Sequence, residues 1–354
     1  MTLATKQPVL IANGDFDAML TFSRLIDKLQ SNEAYIQKLT PVPEAATIVQ
    51  AESSILMGYD FHLTEQGPKL IEINNNAGGL WDLDSGWIQQ FTNHAMLGEL
   101  NDRIAAMFPE KWQHIAILDE DVSQQFMFPE MQAYGKLLQD LGRKVTFVSP
   151  EELVYNGQNL LVAGEPIDAI YNRHTDFYLL TPEMSHIAQA LMAGHIALNP
   201  YPRSYALVGD KNRMVDWWRP SFFDGVLEAS QVEIIKNIVP ETHIMAEVET
   251  ETAWSQRARW VFKPAALHGG KGVLMGKSIS RTRFERFDAP NTVMQQLVPP
   301  STIDIGERSF KFDLRLYMCG QDLIAMAGRA WNGQITNFKE EGSGWTTIQV
   351  ADKA

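Results

Sequence analysis

Asp60, Glu72 and Asn74 are the residues whose types and spacing most directly suggest chemistry. Glu72 and Asn74 stand two apart in Lys69-Leu-Ile-Glu-Ile-Asn, so on a strand both side chains leave the same face. Asp60 lies in Ser54-Ile-Leu-Met-Gly-Tyr-Asp-Phe-His-Leu, which reads as a preceding strand joined to the second by the polar turn 64–69. Strand interiors disfavour Asp, Glu and Asn. Three such groups aimed into one space suit a hard cation such as Mg2+, which takes oxygen ligands in near-octahedral geometry. A hairpin with a solvated polar face is the competing reading, because the apolar Leu70, Ile71 and Ile73 say only that the other face is covered.

A second constellation begins at Trp260-Val-Phe-Lys263, a short strand with a lysine at its end. It continues through Gly269, Gly270, Lys271 and Gly272 into the apolar Val273-Leu-Met. Glycines let a backbone approach a ligand closely, and successive N–H groups form a concave donor surface for phosphate oxygens. A neighbouring lysine adds a point charge for the same anion. The GxxxxGK[ST] spacing of a Walker loop does not occur, and an ordinary β-hairpin with a flexible turn is the plainer reading.

The elements that must position these groups follow from periodicity. Residues 1–50 are mostly helical in pattern, with Phe16, Met19, Leu20, Phe22, Leu25, Ile26 and Leu29 at three- and four-residue intervals. From about residue 113, strands at 114–119, 144–148, 167–171 and 196–198 alternate with helices at 125–142 and 182–194. That alternation implies right-handed crossovers and a parallel sheet, which binds ligands at the carboxyl ends of its strands. Arg173 and His174 follow one such end and are candidates for an anionic substrate, although a surface arginine after a strand is common. Asp210-Lys211 opens a helix carrying Met214, Trp217 and Trp218, which the pair Arg219-Pro220 ends. The strand within 291–298 stops at two prolines, a hinge between lobes. Strands 312–320 and 323–330 follow, with Asp313 and Arg315 on one face and Arg329 near the end of the second. Residues 334–345 read as a polar loop.

A chain of 354 residues accommodates two or three packed domains, and 45% hydrophobic with 21% charged residues marks a globular protein. The net charge of −13 argues against general binding of nucleic acid or of an anionic membrane, so an anionic ligand needs a local basic cluster or a metal ion. The single cysteine, Cys319, excludes a disulfide framework and a cysteine-based metal site, and reads as a buried core thiol. The N-terminal segment lacks a basic region followed by a long apolar run, and no window approaches the ~18 apolar residues of a membrane span. The expectation is a cytoplasmic protein.

Together these stretches resemble the ATP-grasp ligases. The resemblance implies that Lys211, Lys263, Gly269, Gly270 and Lys271 hold ATP phosphates, and that Met294-Gln295-Gln296-Leu297-Val298 lines the adenine with backbone groups. The run Asp313-Leu-Arg315 … Gly328-Arg329 … Asn337 … Gly342-Ser-Gly344 is similar to the family's path from a D-x-R strand to an arginine at the acyl-phosphate site, close in texture to ribosomal-protein glutamate ligases. The family's closing metal hairpin, Asp…Glu-x-Asn, stands here at the N-terminal side as Asp60…Glu72-Ile-Asn74, so the chain resembles a circularly permuted member. Eukaryotic-type glutathione synthetases are permuted in this sense, and residues 71–80 and 170–173 are similar to theirs. Gln296 departs from the pattern, standing where an acidic residue is common.

The fold class this resemblance implies is α/β with α+β lobes: a circularly permuted ATP-grasp fold with a Rossmann-like parallel-sheet domain. Its segments are 1–112 (the lobe with the metal hairpin), 113–205 (the Rossmann-like substrate domain), 206–300 (the lobe with the glycine loop) and 301–354 (the return to the first lobe). The implied activity is an ADP-forming carboxylate–amine ligase using ATP and Mg2+ (or Mn2+). Arg329 and Arg315 would be catalytic, Asp60, Glu72 and Asn74 would hold the metal, and Arg173, Asn76, Asn337 and Gly344 would contact substrate. The partners would be a small-molecule carboxylate and an amine, an amino acid or short peptide, with relatives often homodimeric. An ATP-binding sensor or scaffold without turnover and a small-molecule kinase are the alternative readings.

Overall fold

The computed structural model describes residues 8–39, 41–80, 100–265, 272–334, 336 and 341–351. An antiparallel sheet of six strands carries most of the residues singled out above. Its path runs Gly344–Thr346, Asp322–Trp331, Arg308–Cys319, Met57–Thr64, Gly67–Asn74, with Ser301–Ile305 pairing the first part of Arg308–Cys319. The N-terminal hairpin thus completes a sheet whose other strands come from the far end of the chain, through the register Asp60↔Arg315 and Leu316↔Tyr59.

Alternation along these strands gives the sheet two unlike faces. Tyr59, Phe61, Leu314 and Leu316 are buried on one side. The helix Asn13–Leu29 covers them, its Phe16, Met19, Ser23 and Ile26 stripe repeating at helical spacing. Phe22 meets Tyr59 and Phe61 edge-on at 6.5 and 6.0 Å between ring centroids. The register Asp60↔Glu72, Gly58↔Asn74 and Asp313↔Arg329 sends the polar groups to the opposite side. A bulge between Asp60 and Phe61 interrupts the hairpin ladder beside these groups.

A second antiparallel sheet of four strands, in the order Thr242–Ile244, Thr292–Gln296, Trp260–Pro264, Leu274–Met275, has its own core. Phe262 stacks on Phe287 at 5.1 Å and meets Phe284 edge-on at 5.8 Å. Lys263, next along the strand, therefore points to the other face. A third sheet is wholly parallel, in the order Ala197–Asn199, Ala169–Asn172, His114–Leu118, Lys144–Val148. Apolar residues cover both of its faces: Ile115, Ile117 and Tyr171 join the main core, while Ala116, Leu118 and Ile170 join a separate one.

Two expectations from the sequence need correction. The region 1–50 also contains a strand, Val9–Ala12, pairing in parallel with Ile348–Ala351. Residues 344–345 leave the polar loop to begin the strand Gly344–Thr346. Cys319 is half-buried, and burial pushes its thiol up to about 12, so it stays protonated at neutral pH. Among the described residues no helix is long and apolar enough to cross a membrane. Phe22 is fully buried at the junction of helix and sheet, so Phe22→Ala is expected to lower unfolding stability by about 3–5 kcal/mol, measured by denaturant titration.

Candidate active site

The polar face of the six-stranded sheet holds a continuous charged network. Arg315 grips Asp60 with two bonds, Nε to Oδ1 at 2.6 Å and Nη2 to Oδ2 at 2.7 Å. Arg329 bridges two carboxylates, donating from Nη2 to Asp60 Oδ2 at 2.8 Å and from Nε to Asp313 Oδ1 at 2.6 Å. Thr336 Oγ1 adds a bond to Asp313 Oδ2 at 3.0 Å. Burial pushes the Asp60 carboxyl up, but the two guanidinium groups outweigh it and hold that carboxyl at about 2.

Asn74 stands between the carboxylates, its Nδ2 donating to Asp60 Oδ2 at 3.1 Å and to Glu72 Oε1 at 3.3 Å. The structure therefore brings Asp60, Glu72 and Asn74 together, with an amide hydrogen-bond donor drawing on the oxygens a cation would use. Among the described residues no group of three or more His, Cys, Asp and Glu has the geometry to hold a metal; this set contains two carboxylates and an amide oxygen.

Lys263 crosses from the four-stranded sheet to this hairpin. Its Nζ donates to the Ile71 carbonyl at 2.9 Å and to Gln295 Oε1 at 2.6 Å, and Gln295 Nε2 contacts Met214 Sδ at 3.3 Å. Burial pulls the Lys263 ammonium down to about 8, against the opposing pull of Glu72, and the nearby Lys211 ammonium lowers it further. Lys211 is also buried and lowered by desolvation, with Glu72 and Asp210 acting against the shift. Glu72 thus acts on both ammonium groups, and Lys211 on Lys263.

At the end of the strand Thr292–Gln296, the N–H groups of Gln296 and Leu297 donate to Glu241 O and Arg259 O, each at 2.7 Å. These two groups hold the strand end in place. The Val298 carbonyl accepts from His62 Nδ1 at 2.9 Å, tying the segment after the strand to the carboxylate hairpin. Burial keeps His62 below the ordinary histidine range, and its ring stacks on Trp331.

Arg173 lies at the carboxyl end of the parallel strand Ala169–Asn172, but its first partner is another residue singled out from the sequence. Its Nη1 donates to Asn76 Oδ1 at 2.7 Å and to Asn76 O at 3.2 Å, and its Nη2 is 3.9 Å from Glu130 Oε2. Tyr171 OH donates to the same Asn76 oxygen at 2.9 Å, and Asn76 Nδ2 donates to Asn172 O at 2.7 Å. Asn76 takes a left-handed conformation, φ 55°, to reach them. Gly78 joins this cluster to the first: its carbonyl accepts from Tyr317 OH at 3.1 Å and Arg315 Nη1 at 3.3 Å. A Cβ on Gly78 would lie 3.0 Å from Arg173 Nη2. Gly344 lies on the far strand of the sheet, opposite Ala330 and next to the Arg329↔Trp345 pair. Gly269, Gly270, Lys271 and Asn337 lie outside the described residues.

Sequence reasoning missed Asp119. It follows the strand His114–Leu118, so the rule that singled out Arg173 applies to it equally. Burial raises its carboxyl to about 6, while the Glu120 N–H, Arg173 and His174 act in the other direction.

No protein-family model matches the chain, and no curated protein matches it. Among solved structures, one from Methylobacillus flagellatus KT, provisionally described as a gamma-glutamylcysteine synthetase, superposes over 97% of this chain and 90% of its own. Its TM-score is 0.57 at 12% identity. The ATP-grasp ligase PsnB, in complex with the precursor peptide PsnA2 and AMPPNP, matches over 68% of this chain and 89% of its own, with TM-score 0.35 and 15% identity. The same ligase with a phosphomimetic variant of its minimal precursor, Mg and ADP matches over 66% and 86%, with TM-score 0.35 and 14% identity. At these identities the likeness concerns fold. The chain has a mixed α/β fold, shared over most of its length with the Methylobacillus flagellatus structure.

Because burial holds Lys263 at about 8 in the folded protein against 10.5 for an exposed lysine, the unfolded chain binds more protons between those values, and folding stability rises with pH across that window. Replacing Lys263 with Met is expected to flatten that rise. Denaturant titrations at pH 7, 8.5 and 10 would then show the variant gaining on wild type toward pH 7, and parallel curves would contradict the assignment.

Proposed function

We propose that this chain is an ATP-dependent carboxylate–amine ligase that forms an amide through an acyl phosphate and releases ADP. The observation that carries this reading is the buried Lys263 ammonium, bonded across to the Ile71 carbonyl of the carboxylate hairpin, with Glu72 and the buried Lys211 acting on it. Like charges in a desolvated space repel, and a polyphosphate entering that space would relieve both. The overall fold supports the same reading.

Glu72 and the Asn74 amide oxygen offer a hard cation oxygen ligands on one face, whereas both Asp60 oxygens are bonded to Arg315 and Arg329 and the Asn74 N–H would have to turn away from them. Mg2+ (or Mn2+) held by Glu72, Asn74 and Asp60 would neutralise phosphate charge there. Lys211 and Lys263 would grip the phosphates, with Gly269, Gly270 and Lys271 closing over them, and segment 295–298 would line the adenine. The substrate carboxylate oxygen bonds to the γ-phosphorus as the bond from that phosphorus to ADP breaks. The amine then bonds to the acyl carbon, phosphate departs, and the amine proton passes to solvent. Arg329 and Arg315 would stabilise the charge on the transferred group and on the tetrahedral oxyanion. Arg173, supported by Asn76, would hold a substrate carboxylate, and Asp119 an ammonium group. Asn337 and Gly344 would complete the substrate side.

In this reading the chain is circularly permuted, with segments 1–112 and 301–354 forming one lobe, 206–300 the other and 113–205 the substrate domain. The pairing of Met57–Thr64 with Arg308–Cys319 supports that order. The test is ADP release with Mg2+–ATP across amino acids and γ-glutamyl dipeptides, singly and in pairs. ADP that requires one carboxylate and one amine, accompanied by free phosphate, is the expected result. Glu72→Gln should lower the rate at least ~100-fold with little change in folding. Phosphate retained on the substrate would make the protein a kinase, ATP binding without turnover would make it a sensor or scaffold, and full activity in Glu72→Gln would remove the metal assignment.

A further inference from the structure

The segment that leaves the strand Thr292–Gln296 is pinned on both sides of one open peptide group. Before it, the Leu297 N–H donates to Arg259 O at 2.7 Å. After it, the Val298 carbonyl accepts from His62 Nδ1 at 2.9 Å. Pro299 and Pro300 then stiffen the backbone, and Ser301 Oγ donates to Leu63 O at 2.6 Å. Between these anchors the Val298 N–H donates to no group among the described residues. Val298 is half-buried, and Gln296 and Pro299, on either side of the pair Leu297-Val298, are exposed, so this backbone borders open surface. His62 itself has little freedom: it is 9% exposed, and its ring stacks on Trp331 at 6.2 Å between centroids.

We propose that His62 is a positioning residue for nucleotide-base selectivity: it fixes the backbone at Val298 so that the open N–H there favours adenine over guanine. The inference rests on the ATP-dependent reading and deepens it. In one pose, a fixed N–H meets the bare N1 of adenine, which accepts, or the N1–H of guanine, which does not. A peptide free to turn could follow the guanine O6 instead, and the discrimination would be lost. Selectivity of this kind depends on holding the donor still, because rejection comes from an unpaired group facing the wrong base. His62 supplies that restraint from the strand Met57–Thr64, which also carries Asp60. The phosphate contacts fall to Lys211 and Lys263, so the effect of His62 is confined to the base.

The test is calorimetric titration of the full chain, at fixed Mg2+, with ATP, GTP and inorganic tripolyphosphate. Wild type should bind ATP about tenfold or more tighter than GTP. His62→Phe keeps a ring against Trp331 and removes the N–H. Its preference should fall to about threefold or less, with tripolyphosphate affinity unchanged within about twofold. His62→Asn keeps a donor near the Nδ1 position and should recover most of the preference. A merely structural His62 would lower the melting temperature of His62→Phe and leave its ATP-to-GTP ratio as in wild type. Equal binding of ATP and GTP by wild type, no nucleotide binding, or a preference that survives in His62→Phe overturns the inference. So does a loss of tripolyphosphate binding in step with ATP, or a loss that His62→Asn does not recover. Turnover of carboxylate–amine pairs with GTP as readily as with ATP would overturn it while leaving the ligase reading in place. A preference lost in His62→Phe and regained in His62→Asn, with no ADP release from any pair, would keep the inference and remove the ligase reading.

Discussion

The contact on which the rest depends is the Lys263 ammonium reaching out of its own sheet to the Ile71 carbonyl of the carboxylate hairpin. A buried ammonium has lost most of its hydration, and this one recovers part of it from one backbone carbonyl and the Gln295 amide. That requirement fixes the two antiparallel sheets close together, with the lysine on one side and Glu72, Asn74 and Asp60 on the other. The depressed value near 8 records what remains uncompensated. An anionic ligand entering between the sheets would find a cation only partly satisfied by the protein.

The second constraint is the chain of ion pairs Arg315–Asp60–Arg329–Asp313. Buried ion pairs contribute little net stability once desolvation is counted, but removing one partner leaves an unpaired buried charge at a cost of about 3–5 kcal/mol. The network therefore orients more than it stabilises. Each arginine is clamped by at least two bonds on the polar face of a sheet whose other face is packed by the helix Asn13–Leu29. The long strands Arg308–Cys319 and Asp322–Trp331 set the register that makes these contacts, so side-chain positions are determined by backbone pairing and not by loops. A negatively charged protein thereby keeps guanidinium and ammonium groups concentrated at one place, where its net charge of −13 would otherwise oppose an anionic ligand.

Much of this was legible in the sequence where the signal was local. The two-residue spacing of Glu72 and Asn74 gave their shared face, and Lys263 at the end of an apolar strand was recognisable as a group aimed away from the core. Strand–helix alternation over 114–199 matched the parallel sheet. What stayed hidden was long-range register. Nothing near Asp60 announces that Arg315, 255 residues later, will be its partner. The four-residue strands Val9–Ala12 and Ile348–Ala351 are too short for periodicity to reveal, and each finds its partner at the opposite end of the chain. Arg173 and Asn76 were both singled out from the sequence, yet only the fold shows that one holds the other. Asp119 was overlooked although it ends a neighbouring parallel strand.

The central claim, that a nucleotide enters between the two sheets against Lys263, is tested most directly by calorimetric titration of Mg2+–ATP into wild type and Lys263→Ala at pH 7. The account predicts one site per chain, weakened at least ~10-fold in the variant, as expected when a buried charge-assisted phosphate contact is removed. Equal affinity in the two proteins, or no binding to wild type, would contradict it.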